Sequence, residues 1–244
     1  MVVFGINPVR EALRAGHVRE LRVAGRADDR VRELLRLAEQ HGIRVRRVDG
    51  EQLARDARGG QHQGVVADVE APAVLSVADL VAGAGDPPLL VVLDSIEDPQ
   101  NVGAILRTVD AAGADGVVVQ QRRSAALGGA ASKASAGALA HVRIAEVVNI
   151  ARALDELKTL GVWTIGLAGD APSTYDALDL AGPTALVFGA EGTGLRRLVK
   201  ERCDLLAAIP MQGHVDSLNV SVAAGVTLFE AVRQRRAKAR RPRE

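Results

Sequence analysis

The 244-residue chain contains little cysteine and few aromatic residues, and each shortage excludes a class of protein. Its single cysteine, Cys203, excludes an intramolecular disulfide framework and a cysteine-rich zinc site, so no metal is expected. Aromatic residues make up 2% of the chain, which argues against a surface that stacks many nucleic-acid bases. The sequence shows no signal peptide and no apolar run long enough to cross a bilayer. We therefore expect a cytoplasmic protein without a membrane partner.

Positive and negative residues nearly balance over the whole chain, which has a formal net charge of +1, but they are unevenly distributed along it. Residues 86–232 carry 11 Lys or Arg and 17 Asp or Glu, whereas residues 233–244 carry seven Lys or Arg and one Glu. The end of the chain, residues 236–244, is interpreted as a basic tail. Such a tail suits a polyanionic partner. It is equally compatible with a solvated helix end, where cations favour the helix dipole.

The first segment, residues 1–70, has the pattern of a small α/β domain of about the minimum size that folds alone. Asn7 and Pro8 predict the start of a helix, with Asn7 as the N-cap and Pro8 in the first helical position. A glycine-rich loop, GGQHQG at residues 59–64, separates a short helix from the last strand. Its glycines would let the backbone approach a ligand, although a plain connecting loop fits the sequence as well.

Proline and glycine are concentrated in residues 71–88, which we interpret as a linker with a short helix at Val77–Ala82. Strands and helices then alternate over residues 89–235, including a Ser/Ala/Gly-rich helix near Ser132–Leu139 and a long last helix that opens at Ser217. That alternation predicts a parallel sheet with helices on both faces. Ligands of such sheets bind beyond the carboxyl ends of the strands.

The first loop at a strand end is DSIEDPQNVGAILR, which runs from Asp94 to Arg107. Gly103 and Arg107 are four residues apart and so share one face of the predicted helix. Because helical side chains lean toward the helix N-terminus, Arg107 is expected to reach toward Asn101 and the cleft end of the sheet. The alternative is an exposed helical arginine, with Asn101 serving only as the N-cap.

The second loop is FGAEGTGL, residues 188–195, directly after a predicted strand. Its three glycines would allow close approach to a ligand. It is not a phosphate-binding P-loop, because no Lys-Ser/Thr pair follows, and it lacks the first G-x-G of a dinucleotide fingerprint. Glu191 would repel a phosphate, so it suits a hydroxyl, a ribose, a cation or a guanidinium.

The third loop lies in IPMQGHVDSLNVSVAAGVTLF, residues 209–229. The predicted start of the last helix carries four polar residues close together: Asp216, Ser217, Asn219 and Ser221. An N-cap needs only one such side chain, so the other polar side chains indicate a ligand-binding role. His214 could act as a base, but variable loops commonly hold solvated histidines, and we favour that interpretation.

Together these three loops resemble the three motifs of the SpoU, or TrmH-like, RNA ribose methyltransferases of the SPOUT class. NVGAILR resembles the first motif, LVFGAEGTGL the second and IPMQGHVDSLNVSVAAGVTLFEAV the third, and the similarity covers residues 89–235. The N-terminal VFGINPVREAL and GGQHQGV are similar to the substrate-binding domain of the 23S rRNA guanosine-2′-O-methyltransferases. That domain in turn resembles a kink-turn-binding ribosomal protein.

The resemblance implies an S-adenosylmethionine cofactor, an RNA substrate and a methyltransferase domain with a C-terminal trefoil knot. It also implies a homodimer with its active sites near the subunit interface. By similarity, the backbone at Gly189, Ile209 and Leu218 holds the cofactor. Five residues match the catalytic and substrate-positioning positions of the family: Asn101, Arg107, Glu191, Ser217 and Asn219.

The residue types agree with transfer of a methyl group to a ribose hydroxyl. Because a guanidinium rarely loses its proton, Arg107 is interpreted as a clamp on a neighbouring phosphate that lowers the pKa of the hydroxyl, rather than as a general base. Within the family, tRNA or antibiotic-site rRNA are alternative targets. Two other classes remain: a catalytically silent RNA-binding protein of the same fold, and a nucleotide-binding enzyme that uses GAEGTG. The missing lysine disfavours the second.

Overall fold

The computed structural model describes residues 2–25, 28–70, 75–121, 134–135 and 137–240, and it contains two β-sheets. The first sheet has four strands in the order β1-β4-β2-β3. Its strands pair antiparallel except for β2 and β3, which are parallel. The elements of this part are β1 Val2–Phe4, α1 Ile6–Arg14, β2 Val18–Ala24, α2 Asp29–Gln40, β3 Arg44–Val48, α3 Gly50–Asp56 and β4 Val65–Val69.

The start of α1 differs from the prediction. The helix begins at Ile6, and Gly5 precedes it with a φ of 92°, a backbone conformation that suits glycine. Asn7 is therefore not the N-cap, and its side-chain oxygen instead accepts a hydrogen bond from Arg10. The Ile6 amide donates to Gln63 Oε1 at 3.0 Å. The glycine-rich loop thus meets the first turn of α1, a long-range contact that no local pattern predicts.

The second sheet has seven strands in the order β7-β6-β5-β10-β8-β11-β9, and all of its pairs are parallel, as predicted. Helices cover both faces. The elements of this part are α4 Val77–Ala82, β5 Leu89–Asp94, α5 Pro99–Ala112, β6 Gly116–Gln120, β7 Ile144–Val147, α6 Ile150–Thr159, β8 Trp163–Leu167, β9 Ser173–Thr174, β10 Thr184–Gly189, α7 Arg197–Arg202, β11 Leu205–Ala208 and α8 Val220–Ala239.

Each face of the second sheet has its own apolar core. On one face, α5 and α8 pack through buried side chains such as Ile105 and Leu228. On the other face, α4, α6 and α7 contribute Leu80, Leu154 and Val199. The result is a three-layer α/β/α arrangement, in which the predicted linker helix α4 packs on the second sheet.

The last helix begins at Val220, not at Ser217, and it continues to Ala239 into the predicted basic tail. Of the helix predicted near Ser132–Leu139, residues 132, 133 and 136 lie outside the described residues, and the structure has a single 3-10 turn at Ala138–Ala140 where the prediction ends. The trefoil knot stays a prediction from the family resemblance.

The end of α8 is joined to the start of the second sheet by Arg235. Its guanidinium donates to four backbone carbonyls, those of Pro87, Pro88, Leu180 and Gly182, at 2.6–3.3 Å. Half-burial of the side chain lowers the pKa of Arg235 from its ordinary value. These bonds satisfy carbonyls at the amino edge of the sheet and hold α8 in place, which positions the residues at the other end of the helix. No helix in the described part of the chain has the length and apolar character needed to span a membrane.

Candidate active site

A pocket of about 790 Å³ lies at the carboxyl edge of the second sheet, where parallel α/β sheets bind ligands. Its walls come from the segments that follow three adjacent strands, β8, β10 and β11, and from the start of α8. Apolar side chains of Leu167, Ile209 and Leu218 share the lining with the polar side chains of Glu191 and Ser217. The second and third predicted loops therefore converge on one cavity, whereas no residue of the first loop lines it.

The loop after β10 is folded tightly onto itself, and glycine makes this possible. Ala190 and Gly194 exchange two backbone hydrogen bonds of 3.1 and 2.8 Å. A Cβ on Gly189 would overlap the backbone of Gly194 and the amide of Leu195. Gly192 and Gly194 have φ values of 76° and 65°, in the left-handed region. We call residues 189–195 the glycine loop; its shape exposes backbone groups to the pocket.

Asn219 connects the pocket to the first predicted motif. Its side-chain nitrogen donates to Glu191 Oε1 at 2.8 Å and to Asn101 Oδ1 at 2.9 Å. Its side-chain oxygen accepts from the Ser221 amide at 2.9 Å and so caps α8. Asn101, which is 6% exposed, lies in the first turn of α5 and belongs to the same network, although it does not line the pocket itself. Asp98, not Asn101, is the N-cap of α5.

Three of the five predicted catalytic residues are thus joined by hydrogen bonds: Asn101, Glu191 and Asn219. Ser217 lines the pocket and donates to Asp216 at 3.2 Å. Both Ser217 and Leu218 precede α8, because Asn219 is its N-cap, so the prediction that they occupy helical positions was wrong. The predicted cofactor residues Gly189, Ile209 and Leu218 all line the pocket.

Arg107 stands apart from this network. It is exposed on α5, it does not line the pocket, and no hydrogen bond or ion pair of its side chain is found within the described ranges. The structure does not show the predicted reach of Arg107 toward Asn101, whose amide oxygen is taken by Asn219. His214 is exposed and likewise does not line the pocket, in agreement with a solvated loop histidine.

Sequence reasoning missed the charged pair at the rim of the pocket. Lys200 Nζ lies 2.7 Å from both carboxylate oxygens of Asp170, and both residues line the cavity. The hydrogen bond and the charge of Lys200 lower the pKa of Asp170 below its ordinary value. Asp170 follows β8, and its position after a strand was the available signal.

Cys203, the single cysteine, does not line the pocket. Burial raises the pKa of the Cys203 thiol to about 12, which leaves almost no thiolate at neutral pH. Among the residues that the structure describes, no group of three or more His, Cys, Asp or Glu side chains is placed to hold a metal ion.

Comparison with known proteins gives two family matches that divide the chain. Residues 88–229 match the SpoU rRNA Methylase family, and residues 2–75 match a family described as RNA 2′-O ribose methyltransferase substrate binding. The first match covers the strands and loops that form the pocket. The second covers the four-stranded sheet and the GGQHQG loop at residues 59–64.

Individual relatives agree with both matches. The chain is 49% identical over 213 residues to a 23S rRNA (guanosine-2′-O-)-methyltransferase RlmB of Ralstonia nicotianae, which covers 87% of this chain and 86% of the relative. It is 46% identical to the protein of that name from Pseudomonas aeruginosa, over 96% of both chains.

Among solved structures, the fold is similar to that of the SpoU methyltransferase AviRb from Streptomyces viridochromogenes in complex with the cofactor AdoMet. The TM-score is 0.82 at 28% sequence identity, and the match covers 97% of this chain and 91% of that chain. The family match over more than half of the chain and the relatives above 40% identity lead to one conclusion: this chain belongs to the SpoU rRNA methylase family.

Proposed function

We propose that this protein transfers the methyl group of S-adenosylmethionine to the 2′-hydroxyl of a guanosine in 23S rRNA. The observation that carries the proposal is the Asn101–Asn219–Glu191 network beside a pocket built from the glycine loop. Relatives of this chain that match it over most of its length are named for that reaction. Their identity and coverage favour rRNA over tRNA as the substrate class.

The residues of the pocket fit S-adenosylmethionine. Leu167, Ile209 and Leu218 offer apolar surface for an adenine ring, and Leu218 is 38% exposed in the free protein. The glycine loop lines the pocket and offers backbone donors and acceptors at close range, because its three glycines carry no side chains. Bound there, the cofactor supplies an electrophilic methyl group on a sulfonium ion.

The side chains of the network then have to orient the ribose and assist removal of the proton from its 2′-hydroxyl. Glu191 is an exposed carboxylate whose Oε1 is already held by Asn219, which leaves its other oxygen to accept from a hydroxyl. Asn101 is fixed by burial and by Asn219, so it holds the network against α5. Alignment of this kind is the larger part of what a methyl transfer requires.

In this proposal Arg107 acts as a phosphate clamp and not as a general base. It is exposed and has no carboxylate partner among the described residues, so its charge is available to RNA. When Arg107 binds the phosphate next to the reacting ribose, its guanidinium lies close to the 2′-hydroxyl. The positive charge then lowers the pKa of that hydroxyl. Ser217, on the pocket wall, completes the set of substrate-positioning residues.

We further propose that the protein is a cytoplasmic homodimer. Val222 and Phe229 are 50% and 51% exposed on α8, and Val215 and Leu218 are exposed in the segment before that helix. Val222 and Phe229 are seven residues apart and so lie on one side of the helix. An exposed apolar surface next to the pocket suits a second copy of the chain and would put the active sites near the interface.

The proposed function is tested by mapping ribose methylations across the rRNA of a strain that lacks the gene. The proposal predicts the loss of one guanosine 2′-O-methylation in 23S rRNA, restored by the wild-type gene. Restoration must fail with a variant of the network, such as Asn219→Ser. An unchanged 23S rRNA together with a lost tRNA methylation would overturn the substrate assignment. No lost methylation in either RNA would favour the silent RNA-binding protein.

A further inference from the structure

A buried carboxylate lies next to the glycine loop and has no role in the chemistry described above. Asp94 is the last residue of β5 and is fully buried, with a relative exposure of 0%. In the sheet it pairs in register with Gly189, the first residue of the glycine loop. It also begins the segment that leads to Asn101. Asp94 therefore lies where two of the site's loops leave the sheet.

Both oxygens of this carboxylate are bound by Arg196, the residue that follows the glycine loop. The Arg196 backbone amide donates to Asp94 Oδ2 at 2.9 Å, and the Arg196 Nε donates to Oδ1 at 2.6 Å. Arg196 Nη2 also donates to Gln120 Oε1 at 3.0 Å, at the end of β6. One arginine thus ties the end of the glycine loop to the ends of two neighbouring strands.

The contact requires an acceptor oxygen at each of two positions on the side chain of residue 94. An amide side chain has one acceptor oxygen, so asparagine at position 94 would turn its NH₂ group toward one of the two Arg196 donors. Bonds to an ionised partner are stronger than neutral ones, and a buried carboxylate that loses its partner is costly. The contact consequently holds Arg196 in one place, and with it the last residue of the glycine loop, Leu195.

We propose that Asp94 is a positioning residue that fixes the shape of the glycine loop through Arg196 and so sets the affinity for the cofactor. The proposal rests on the proposed function, because it takes the glycine loop as the part that holds S-adenosylmethionine. The loop is held at one end by Gly189 in β10 and at the other by Arg196 on Asp94. Releasing the second end lets the mutual bonds of Ala190 and Gly194 open.

The first arm of the test uses the full-length protein without ligand. Amide hydrogen exchange is measured in Asp94→Asn and in wild type, at the amides of Ala190, Gly194 and Arg196. We expect these amides to exchange about tenfold faster in the variant, as for the loss of one charge-assisted hydrogen bond. This arm reads the loop itself and does not depend on any reaction.

A matched control comes from the opposite edge of the same sheet. Asp204, before β11, accepts bonds from the Thr164 amide and hydroxyl at 2.8 and 2.6 Å and pairs with Lys158. Asp204→Asn therefore also removes a bound carboxylate, but one that does not line the pocket and does not contact the glycine loop through a hydrogen bond in the described structure. We expect it to lower thermal stability without changing exchange in the glycine loop.

The second arm measures S-adenosylhomocysteine binding by calorimetry, together with kinetics. For Asp94→Asn we expect the Kd to rise about tenfold or more, and the KM for RNA to stay unchanged. Arg196→Ala should weaken binding further, because it strands the buried charge of Asp94. The double variant Asp94→Asn, Arg196→Ala should bind better than Arg196→Ala alone, since it removes that charge.

Two results would overturn the inference: unchanged exchange at the three amides in Asp94→Asn, or equal effects of Asp94→Asn and Asp204→Asn on the Kd. Failure of the proposed function would look different. In that case wild-type protein would not bind S-adenosylhomocysteine at all, while the glycine-loop amides would still respond to Asp94→Asn.

Discussion

Asn219 donates a hydrogen bond of 2.8 Å to the carboxylate of Glu191, and thereby joins the start of α8 to the glycine loop. The same side chain caps α8 through its oxygen and binds Asn101 through its nitrogen. One asparagine therefore serves the stability of a helix and the geometry of the site at once. The two roles use different atoms, so a substitution can separate them.

Asn219→Ser is the substitution that does so. Serine caps helices about as well as asparagine, so the variant should unfold at nearly the wild-type temperature. Its hydroxyl cannot replace the amide nitrogen toward Glu191 and Asn101, and we expect kcat for methyl transfer to fall about 100-fold. Asn219→Ala should lose the cap as well and be less stable by about 1 kcal/mol. Single-turnover rates and thermal unfolding measure the two effects. The assignment would be refuted by a Ser variant that changes only cofactor affinity.

Arg107→Ala tests the proposed phosphate clamp. Arg107 is exposed and lies outside the pocket, so the variant should bind S-adenosylhomocysteine within a few-fold of wild type while losing methyl transfer. Arg152→Ala, which removes another exposed helical arginine, should change neither. Calorimetry and labelled methyl transfer give the two quantities. Equal loss of binding and turnover in Arg107→Ala would contradict the clamp.

Local patterns predicted the parallel sheet and the three loops well, because both follow from nearby residues. The all-apolar run Leu89–Leu93 and the polar residues after it are local signals. The position of Asn101 beside Asn219 depends instead on contacts across 118 residues of sequence, and only the whole fold reveals it. The Asp94–Arg196 contact could not be predicted for the same reason, since the two residues are 102 positions apart in the sequence. Neither residue is unusual when it is considered alone. The error at Ser217 arose because several polar residues could cap the helix, and Asn219 does so.

A chain that begins at Val74 tests the division into a substrate domain and a catalytic domain. The second sheet keeps both of its cores without residues 1–70, and α4 packs on it through Val77 and Leu80. We expect the shortened protein to remain folded and to bind S-adenosylhomocysteine. It should methylate 23S rRNA poorly, because it lacks the four-stranded sheet and the GGQHQG loop at residues 59–64. Full activity on the natural RNA would show that the first domain does not select the substrate.

Phe229→Glu tests the proposed dimer. A charge in place of an apolar side chain that is 51% exposed in one copy should disfavour burial against a second copy. Sedimentation velocity should then show a dimer for wild type and a monomer for the variant. Trp163→Glu is the control, since Trp163 is 58% exposed at the amino end of β8 and does not line the pocket. A wild-type protein that sediments as a monomer would contradict the proposal.

The most direct test of the central claim is nucleoside analysis of 23S rRNA after incubation with the purified protein and labelled S-adenosylmethionine. The rRNA should come from the strain that lacks the gene, so that its target site is unmodified. The account predicts that the label appears in 2′-O-methylguanosine, at one equivalent per rRNA, and that Asn219→Ser protein transfers little. Label in a methylated base, in another 2′-O-methylated nucleoside, or in no nucleoside would contradict it.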